Sequence, residues 1–310
     1  MDLIDALSSS LKINKSTLQD FCTLAPNKYR IYSIPKRNSG YRIIAHPSKE
    51  LKKYQRTLND LIKNILPVHS SAFAYRNGLD IKKNALRHAK NPYLLKMDFH
   101  DFFNRITPDV FWKQVGNKFL SLTRKDADIF EKLIFWNRSK KNDGKLILSV
   151  GAPTSPLISN SVMYNFDCSI SEWCVKNDIT YTRYADDITF STRKKNILFT
   201  VPEKIKNEII MHFGNAMLIN DGKTIFSSKA HNRHITGITI TNEGIPSLGR
   251  EKKRYIYHLL HQYSLNLLEH DDILHLKGQF SFSCYIDKSL MHRAEKKYSS
   301  ELVQKLIHYV

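Results

Sequence analysis

Two adjacent carboxylates stand between two segments rich in β-branched and aromatic residues. They are Asp186 and Asp187, in a Tyr-Ala-Asp-Asp run at the tip of a hairpin predicted over 180–191. Adjacent side chains of a strand point to opposite faces, but a tight turn can bring both carboxylates to one cation. Because two ionised carboxylates repel each other when held close, such a pair normally needs Mg²⁺ or Mn²⁺ to stay charged. The alternative for an isolated Asp-Asp pair is a solvated turn.

A third carboxylate, Asp98, lies in the segment 93–99, whose sequence Tyr-Leu-Leu-Lys-Met-Asp-Phe predicts a buried strand. An unpaired carboxylate at the end of a buried strand is unfavourable, which favours a metal site over a solvated turn. Three aspartates at neighbouring strand ends can form a two-metal site, which activates an attacking 3′-hydroxyl and stabilises the leaving pyrophosphate. The sequence therefore predicts such a site from Asp98, Asp186 and Asp187.

The order of several motifs resembles that of reverse transcriptases. Asp98 is followed by Phe102-Phe103, then by Gly-Ala-Pro-Thr-Ser-Pro at 151–156, then by the Tyr-Ala-Asp-Asp run. Further matches are Gly40-Tyr41-Arg42-Ile43 upstream, Asn220 with Lys223-Thr224, and Ile235-Thr236-Gly237 downstream. An N-A-x-x-H motif at 84–88 and the Ile-Thr-Gly variant are similar to the bacterial retron branch. The resemblance extends from residue 29 to about residue 254.

The resemblance implies a catalytic metal site. Asp98, Asp186 and Asp187, with the backbone carbonyl of Phe99, are then the ligands of two Mg²⁺ ions, for which Mn²⁺ is a possible substitute.

The resemblance also implies a site for deoxynucleoside triphosphates. Arg42 and Lys36 should neutralise the triphosphate, since a guanidinium suits bidentate phosphate contact. Phe103 occupies the position of the steric gate that crowds a ribose 2′-OH, and Lys223 that of the proton donor to pyrophosphate. Val150 stands before Gly151 where many reverse transcriptases have Gln, so that side-chain amide is absent while backbone contacts of both residues remain available.

Two groups of residues are expected to bind RNA. The first comes from the retron-like motifs and comprises Asn84, His88, Thr236 and Gly237. The second is a basic run with aromatic residues interleaved, Arg250, Lys252, Lys253 and Arg254 before Tyr255. In a polymerase thumb such a run contacts structured RNA, and its alternative is a solvated helix face.

The function implied is that of a retron-type RNA-directed DNA polymerase. Such an enzyme primes from a 2′-OH of a guanosine in its own structured non-coding RNA and leaves a branched RNA–DNA product, msDNA. Nothing after the expected thumb resembles an RNase H, maturase or endonuclease domain. Template removal is therefore expected to need a host RNase H, and an effector of an anti-phage defence system is expected to be a separate chain.

Two other functional classes stay open at this point. One is a non-catalytic scaffold that merely holds RNA or a partner protein, although the intact Asp98, Asp186, Asp187, Phe103 and Arg42 argue against a decayed site. The other is a related polymerase with a different task, such as a group II intron enzyme or a template-independent synthase.

The fold expected is an α/β (α+β) right hand with fingers, a palm built on an antiparallel sheet, and a short helical thumb. The boundaries expected are a helical lead-in over 1–28, fingers over 29–92, a palm over 93–245 and a thumb over 246–310. A further fingers segment should interrupt the palm at about 113–147. Within the palm, one helix is expected from Pro108 to Leu120 and another from about Leu157 to Asn177.

The composition agrees with a nucleic-acid partner. Among 310 residues, 48 Lys and Arg against 29 Asp and Glu give a formal charge of +19. Residues 1–145 hold 28 of the basic and 13 of the acidic residues, so the excess lies in the half expected to hold template and triphosphate. No apolar run is long enough for a membrane span. Four cysteines without a C-x-x-C pair indicate a reduced, cytoplasmic protein without a zinc site.

Overall fold

The computed structural model describes residues 2–35, 40–141 and 144–310, and of Asn117 the backbone alone. The helices are α1 (Leu3–Leu11), α2 (Lys15–Leu24), α3 (Lys49–Ile62), α4 (Ile81–His88), α5 (Phe102–Arg105), α6 (Pro108–Phe111), α7 (Asn117–Phe119), α8 (Arg124–Ile134), α9 (Ser155–Val162), α10 (Tyr164–Lys176), α11 (Val201–Phe213), α12 (Arg250–Ser264), α13 (His270–Ile286), α14 (Ser289–Tyr298) and α15 (Ser300–Ile307). The strands are β1 (Tyr29–Pro35), β2 (Tyr41–Pro47), β3 (Tyr93–Asp98), β4 (Phe135–Asn137), β5 (Leu146–Leu148), β6 (Thr180–Tyr184), β7 (Asp187–Thr192), β8 (Ile225–Ser228), β9 (Arg233–Ile235), β10 (Ile238–Ile240) and β11 (Pro246–Ser247).

A four-stranded antiparallel sheet with the order β6-β7-β3-β8 forms the centre of the molecule. Consecutive side chains of a strand point to opposite faces of a sheet, and helices cover both faces of this one. Leu95 and Met97 of β3 belong to one apolar core, together with Phe166 of α10. Leu94 of the same strand belongs to a second core, with Ala85 of α4 and Leu260 of α12. The sheet is therefore held rigidly between two sets of helices.

The N-terminal part carries the long hairpin of β1 and β2, whose register places Tyr29 opposite Pro47 and most of whose residues are exposed. Helix α3 follows the hairpin and has Ser48 as its N-cap, whose side chain accepts a hydrogen bond from the Leu51 N–H. The segment that carries α8, β4 and β5 packs against α1, α2 and α3. This segment therefore joins the N-terminal part although it lies between β3 and β6 in the chain.

The C-terminal part is a small sheet with the order β11-β10-β9, followed by α12 to α15. These helices share the second core with α4. In the described residues, no helix is long and apolar enough to cross a membrane.

The expectation of one unbroken helix from Leu157 to Asn177 is wrong. The chain forms α9 and α10, which are separated at Met163. The hydroxyl of Ser161 donates to the carbonyl of Leu157 over 2.9 Å, a bond back to the preceding turn that bends helices.

The helix expected over 108–120 is also interrupted. A π-helical turn, Trp112–Gly116, separates α6 from α7. At Gly116 an added Cβ would lie 1.8 Å from Cε3 of the Trp112 ring. The indole therefore packs directly on the backbone of this glycine, in space that the Cβ of any other residue would occupy.

Candidate active site

The three predicted metal ligands meet at one end of the central sheet. The register of β3 and β7 places Asp98 opposite Asp187. Asp186 belongs to the turn between β6 and β7, and its carbonyl accepts a hydrogen bond from the Phe99 N–H over 3.1 Å. The carbonyl of Asp98 accepts from the Asn220 N–H over 2.8 Å, which brings the segment before β8 to the same end.

Burial and the proximity of the carboxylates to one another change their acidity. Burial is the main cause that raises the pKa of Asp186, and the charge of Asp98 adds to it. Burial also raises the pKa of Asp187, which reaches about 7 with the charges of Asp186 and Asp98 and a hydrogen bond to Asp98. Asp187 as a whole residue is exposed to solvent, whereas Asp186 is half-buried. Such a cluster is stabilised by a nearby cation.

The structure supplies one cation from the chain itself. Lys223 Nζ lies 2.8 Å from Oδ1 of Asp98, whose side chain is only 9% exposed. In the described part of the chain, no group of three or more His, Cys, Asp or Glu side chains is gathered closely enough to hold a metal ion as it stands. The donor set nevertheless suits a hard divalent cation, because carboxylate oxygens are its preferred ligands. Lys223, predicted to act on pyrophosphate, here neutralises Asp98.

The crowded carboxylates predict a pH-dependent effect of Asp187→Asn on stability without metal. The pKa of Asp187 rises from its ordinary value of 3.8 to about 7 in the folded chain. Between these values the folded state keeps a proton that the unfolded state has lost, so stability falls as pH rises through this window. The substitution removes that loss. We expect it to raise the melting temperature in EDTA by more at pH 8 than at pH 5.

Asp20→Asn, at an exposed position of α2, is the control for this comparison and should show no such pH dependence. A gain from Asp187→Asn that is equal at both pH values would contradict the electrostatic explanation.

Two of the predicted nucleotide-binding residues belong to the β2 hairpin or pack on it, and the first of them lies near Asp186. Arg42, on the exposed half of β2, is close enough to Asp186 for its charge to lower the pKa of that carboxyl, against the larger effect of burial. Gly151 has a φ of +112°, a conformation that favours glycine, and its missing Cβ would lie 3.5 Å from Cγ2 of Ile44 on β2. Val150 before it is half-buried.

The remaining nucleotide-binding predictions differ in their support. Phe103, in α5, is half-buried and packs edge-on against Phe102, with 5.2 Å between ring centroids. Lys36 lies outside the described residues. Tyr75 was not predicted, yet burial and the charge of Asp186 raise the pKa of its hydroxyl while Arg42 opposes them, so it lies in the same neighbourhood. An isolated tyrosine outside the motifs carries no sequence signal of this proximity.

The predicted RNA-binding residues fall partly into one basic groove. It has a volume of about 1240 Å³ and lies between the β9–β11 sheet and the start of α12. Gly237, Arg250, Lys252 and Lys253 line it, whereas Thr236 and Arg254 are not among its lining residues. Sequence reasoning missed the other basic side chains of this groove, because they are scattered along the chain: Lys96, Lys229, His231 and His234.

The prediction that Asn84 and His88 contact RNA is corrected by the structure. Both side chains are fully buried. His88 Nδ1 lies 2.7 Å from Oγ of Ser191, and Nε2 lies 2.7 Å from Oγ1 of Thr182. Burial lowers the pKa of His88 to about 3, so the imidazole is neutral. His88 fastens α4 to β6 and β7 and is not available to RNA.

Lys253 is likewise engaged within the chain. Its Nζ lies 2.9 Å from Oδ2 of Asp287, which also accepts from Arg293 over 3.1 Å. Lys253 therefore helps to fix α12 against α14, whereas Arg250, Lys252 and Arg254 are exposed.

Comparisons with known proteins agree with the motif order. A family model described as "Reverse transcriptase (RNA-dependent DNA polymerase)" matches residues 34–240. The retron Ec83 reverse transcriptase of Escherichia coli is 43% identical over 281 residues, which cover 91% of this chain and 90% of that protein. The retron Ec86 reverse transcriptase of Escherichia coli is 29% identical over 317 residues, which cover 98% and 91%. Among solved structures, apo telomerase from Candida tropicalis matches with a TM-score of 0.49 and 14% identity, over 89% of this chain and 58% of that one.

Proposed function

We propose a specific priming reaction for this chain, which belongs to the reverse transcriptase (RNA-dependent DNA polymerase) family and is a retron reverse transcriptase with the right-hand polymerase fold. It copies an RNA template into DNA from nucleotide substrates. In the proposed reaction it starts from a 2′-OH of a guanosine in its own structured non-coding RNA, and the product is a branched RNA–DNA, msDNA. The observation that carries this proposal is the 43% identity to a retron reverse transcriptase over nine-tenths of both chains.

The proposed domain boundaries follow the motifs. Residues 1–28 are the helical lead-in, 29–92 the fingers, 93–245 the palm and 246–310 the thumb. The packing of α8 against α1, α2 and α3 supports a fingers segment at about 113–147 inside the palm. The separate core shared by α4 and α12 to α15 supports a thumb that rests on the back of the palm sheet.

The family depends on divalent metal ions, and we propose Mg²⁺, two per site, with Mn²⁺ as a substitute. Asp98, Asp186, Asp187 and the carbonyl of Phe99 would hold these ions. When bound, they would supply positive charge for the attacking hydroxyl and for the leaving pyrophosphate. For this to happen Lys223 has to leave Asp98, and its ammonium group is then free to give a proton to the pyrophosphate.

The nucleotide would lie between the aspartates and the β1–β2 hairpin. Arg42 binds the triphosphate, assisted by Lys36, and its planar guanidinium holds phosphate oxygens in a fixed orientation. The ring of Phe103 crowds the ribose 2′ position and so favours deoxynucleotides. The backbone of Val150 and Gly151 contacts the nucleotide or the template base opposite it.

The RNA would lie along the basic groove at the start of α12. Lys96, Lys229 and Arg250 place positive charge on one continuous surface there, which suits a phosphate backbone. Separate proteins are proposed for the remaining steps in the cytoplasm: a host RNase H that removes the template, and an effector of an anti-phage defence system.

The chemical bond that joins RNA to DNA in the product tests the proposed priming from a 2′-OH. The protein, purified with its co-purifying RNA, is given labelled dNTPs and Mg²⁺. We expect labelled DNA that stays joined to a short RNA remnant after RNase A and is released by a 2′–5′ debranching enzyme. Labelled DNA that is already free of RNA, or that resists debranching, would show priming from a 3′ end and would contradict the proposed reaction.

A further inference from the structure

A fully buried ion pair lies behind the turn that carries Asp186 and Asp187. The side chains of Arg183, on β6, and Asp167, on α10, are both 0% exposed, and Nη2 lies 2.6 Å from Oδ2. Arg183 Nε donates to Oδ1 over 2.9 Å, and the hydroxyl of Tyr181 donates to the same oxygen over 2.7 Å. Burying two charges has a desolvation penalty that apolar side chains of similar volume avoid. Packing alone therefore does not explain this pair.

The remaining nitrogen of the guanidinium points toward the turn. Arg183 Nη1 donates to the carbonyl of Ala185 over 3.1 Å and to Oδ1 of Asn160 over 3.2 Å. Asn160 itself donates from Nδ2 to the carbonyl of Ala74 over 3.0 Å. The guanidinium thus joins α9 and α10 to the backbone of the turn.

The backbone at this point needs such support. Ala185 has a φ of +56°, in the left-handed region, whereas Asp186 does not have a positive φ. A hairpin turn in which only the first of the two central residues has a positive φ favours glycine at that position. A residue with a Cβ is strained there by about 1–2 kcal/mol. Strained residues of this kind persist only where their surroundings fix them.

The peptide that Arg183 holds is the one that joins Ala185 to Asp186. Its carbonyl accepts from Arg183, and the next carbonyl, that of Asp186, accepts from the Phe99 N–H. Asp186 is therefore fixed on both sides along the backbone. The neighbouring strand residue Thr182 points to the opposite face, where His88 holds it, so the hairpin is fastened from both sides of the sheet.

We propose that Arg183, oriented by Asp167 and Asn160, is a positioning residue that sets the Ala185–Asp186 peptide and, through it, the two carboxylates of the turn. The inference rests on the proposed function, because it takes Asp186 and Asp187 as the metal ligands. Arg183 touches neither substrate nor metal and acts only through the backbone of the turn.

A variant that removes the whole network without leaving a buried charge separates the effect on the position of the turn from the effect on the stability of the fold. In the variant Arg183→Met, Asp167→Leu, Tyr181→Phe, apolar groups replace the ion pair and the hydroxyl that depends on it. Such replacements are often neutral for stability. We expect a melting temperature within about 3 °C of wild type, unchanged RNA binding and an unchanged KM for dNTPs. The turnover number should fall about 10- to 100-fold, the scale of a small misplacement of reacting groups.

A second readout does not depend on catalysis. Binding of Mn²⁺ to the protein alone, measured by electron paramagnetic resonance, should weaken about 10-fold in the same variant, since a ligand set held less rigidly binds more weakly. Arg183→Lys is the second test variant, and it tests the positioning role if the triple variant does not fold. Its single nitrogen can neutralise Asp167 but cannot also reach Ala185, so it should show the same two losses.

The matched control is Lys204→Met with Glu208→Leu, which removes an ion pair of 2.6 Å on α11, away from the turn. It should leave turnover and Mn²⁺ binding unchanged. A stable triple variant, or failing that Arg183→Lys, with wild-type turnover and Mn²⁺ affinity would overturn the positioning role. If wild-type protein makes no DNA on its co-purifying RNA, the proposed function fails instead, while the ratio of Mn²⁺ affinities still tests the positioning role.

Discussion

The double variant Asp186→Asn, Asp187→Asn is expected to lower dNTP incorporation on the co-purifying RNA by about 10³-fold or more. Asparagine keeps the size of each side chain but removes the charge that would hold the metal ions. Burial, with the charges of Asp186 and Asp98, raises the pKa of Asp187 to about 7, and a bound cation would favour its ionised form. Incorporation is measured in a single turnover with saturating Mg²⁺, and RNA affinity by filter binding should stay close to that of wild type.

The chain offers a matched control for this experiment. Asp271 and Asp272 form a second adjacent pair, in the exposed first turn of α13. The variant Asp271→Asn, Asp272→Asn should incorporate dNTPs at the wild-type rate. Full activity of the turn variant, or equal loss in both variants, would refute the assignment of the metal ligands.

The second large effect is expected at Phe103. Replacing the ring by alanine opens the space that would otherwise exclude a ribose 2′-OH, so rNTPs should enter the site. We expect the ratio of kcat/KM for dNTPs over rNTPs to fall about 10- to 100-fold, the range of discrimination from shape alone. Phe103 is half-buried and braced by Phe102, so the remaining fold should tolerate the change.

Phe199→Ala is the control for the steric gate. Phe199 is 64% exposed and packs on Phe226 near the β8 edge of the sheet, away from the aspartates. It should leave sugar discrimination unchanged. A Phe103→Ala variant that still excludes rNTPs as well as wild type would show that another group reads the 2′ position.

The sequence predicted which end of the sheet carries the three aspartates, because its signals are local. A buried strand ending in Asp98 and a hairpin tipped by Asp186 and Asp187 follow from β-propensity and turn chemistry within a few residues. Antiparallel pairing of β3 with β7 then brings these ends together. The sequence did not predict the separation of α9 from α10, because a serine inside a helical pattern does not show whether its hydroxyl will bond back to the preceding turn, as that of Ser161 does.

The parts that could not be predicted depend on partners far apart in the chain. His88 looked like a functional histidine until the structure placed it between Thr182 and Ser191, about a hundred residues away. Lys253 looked like a free cation, yet its partner Asp287 belongs to the loop after α13. Arg183 stands next to the Tyr-Ala-Asp-Asp run, and nothing in its neighbours indicates complete burial against Asp167. Long-range pairing decides the role of each of these residues.

The most direct test of RNA-primed DNA synthesis by this chain is to sequence the nucleic acid that co-purifies with it from cells. Wild-type protein should carry one structured RNA joined through an internal guanosine to a single-stranded DNA of complementary sequence, and the Asp186→Asn, Asp187→Asn variant should carry the same RNA without DNA. DNA on both proteins, or RNA on wild type with no attached DNA, would contradict it.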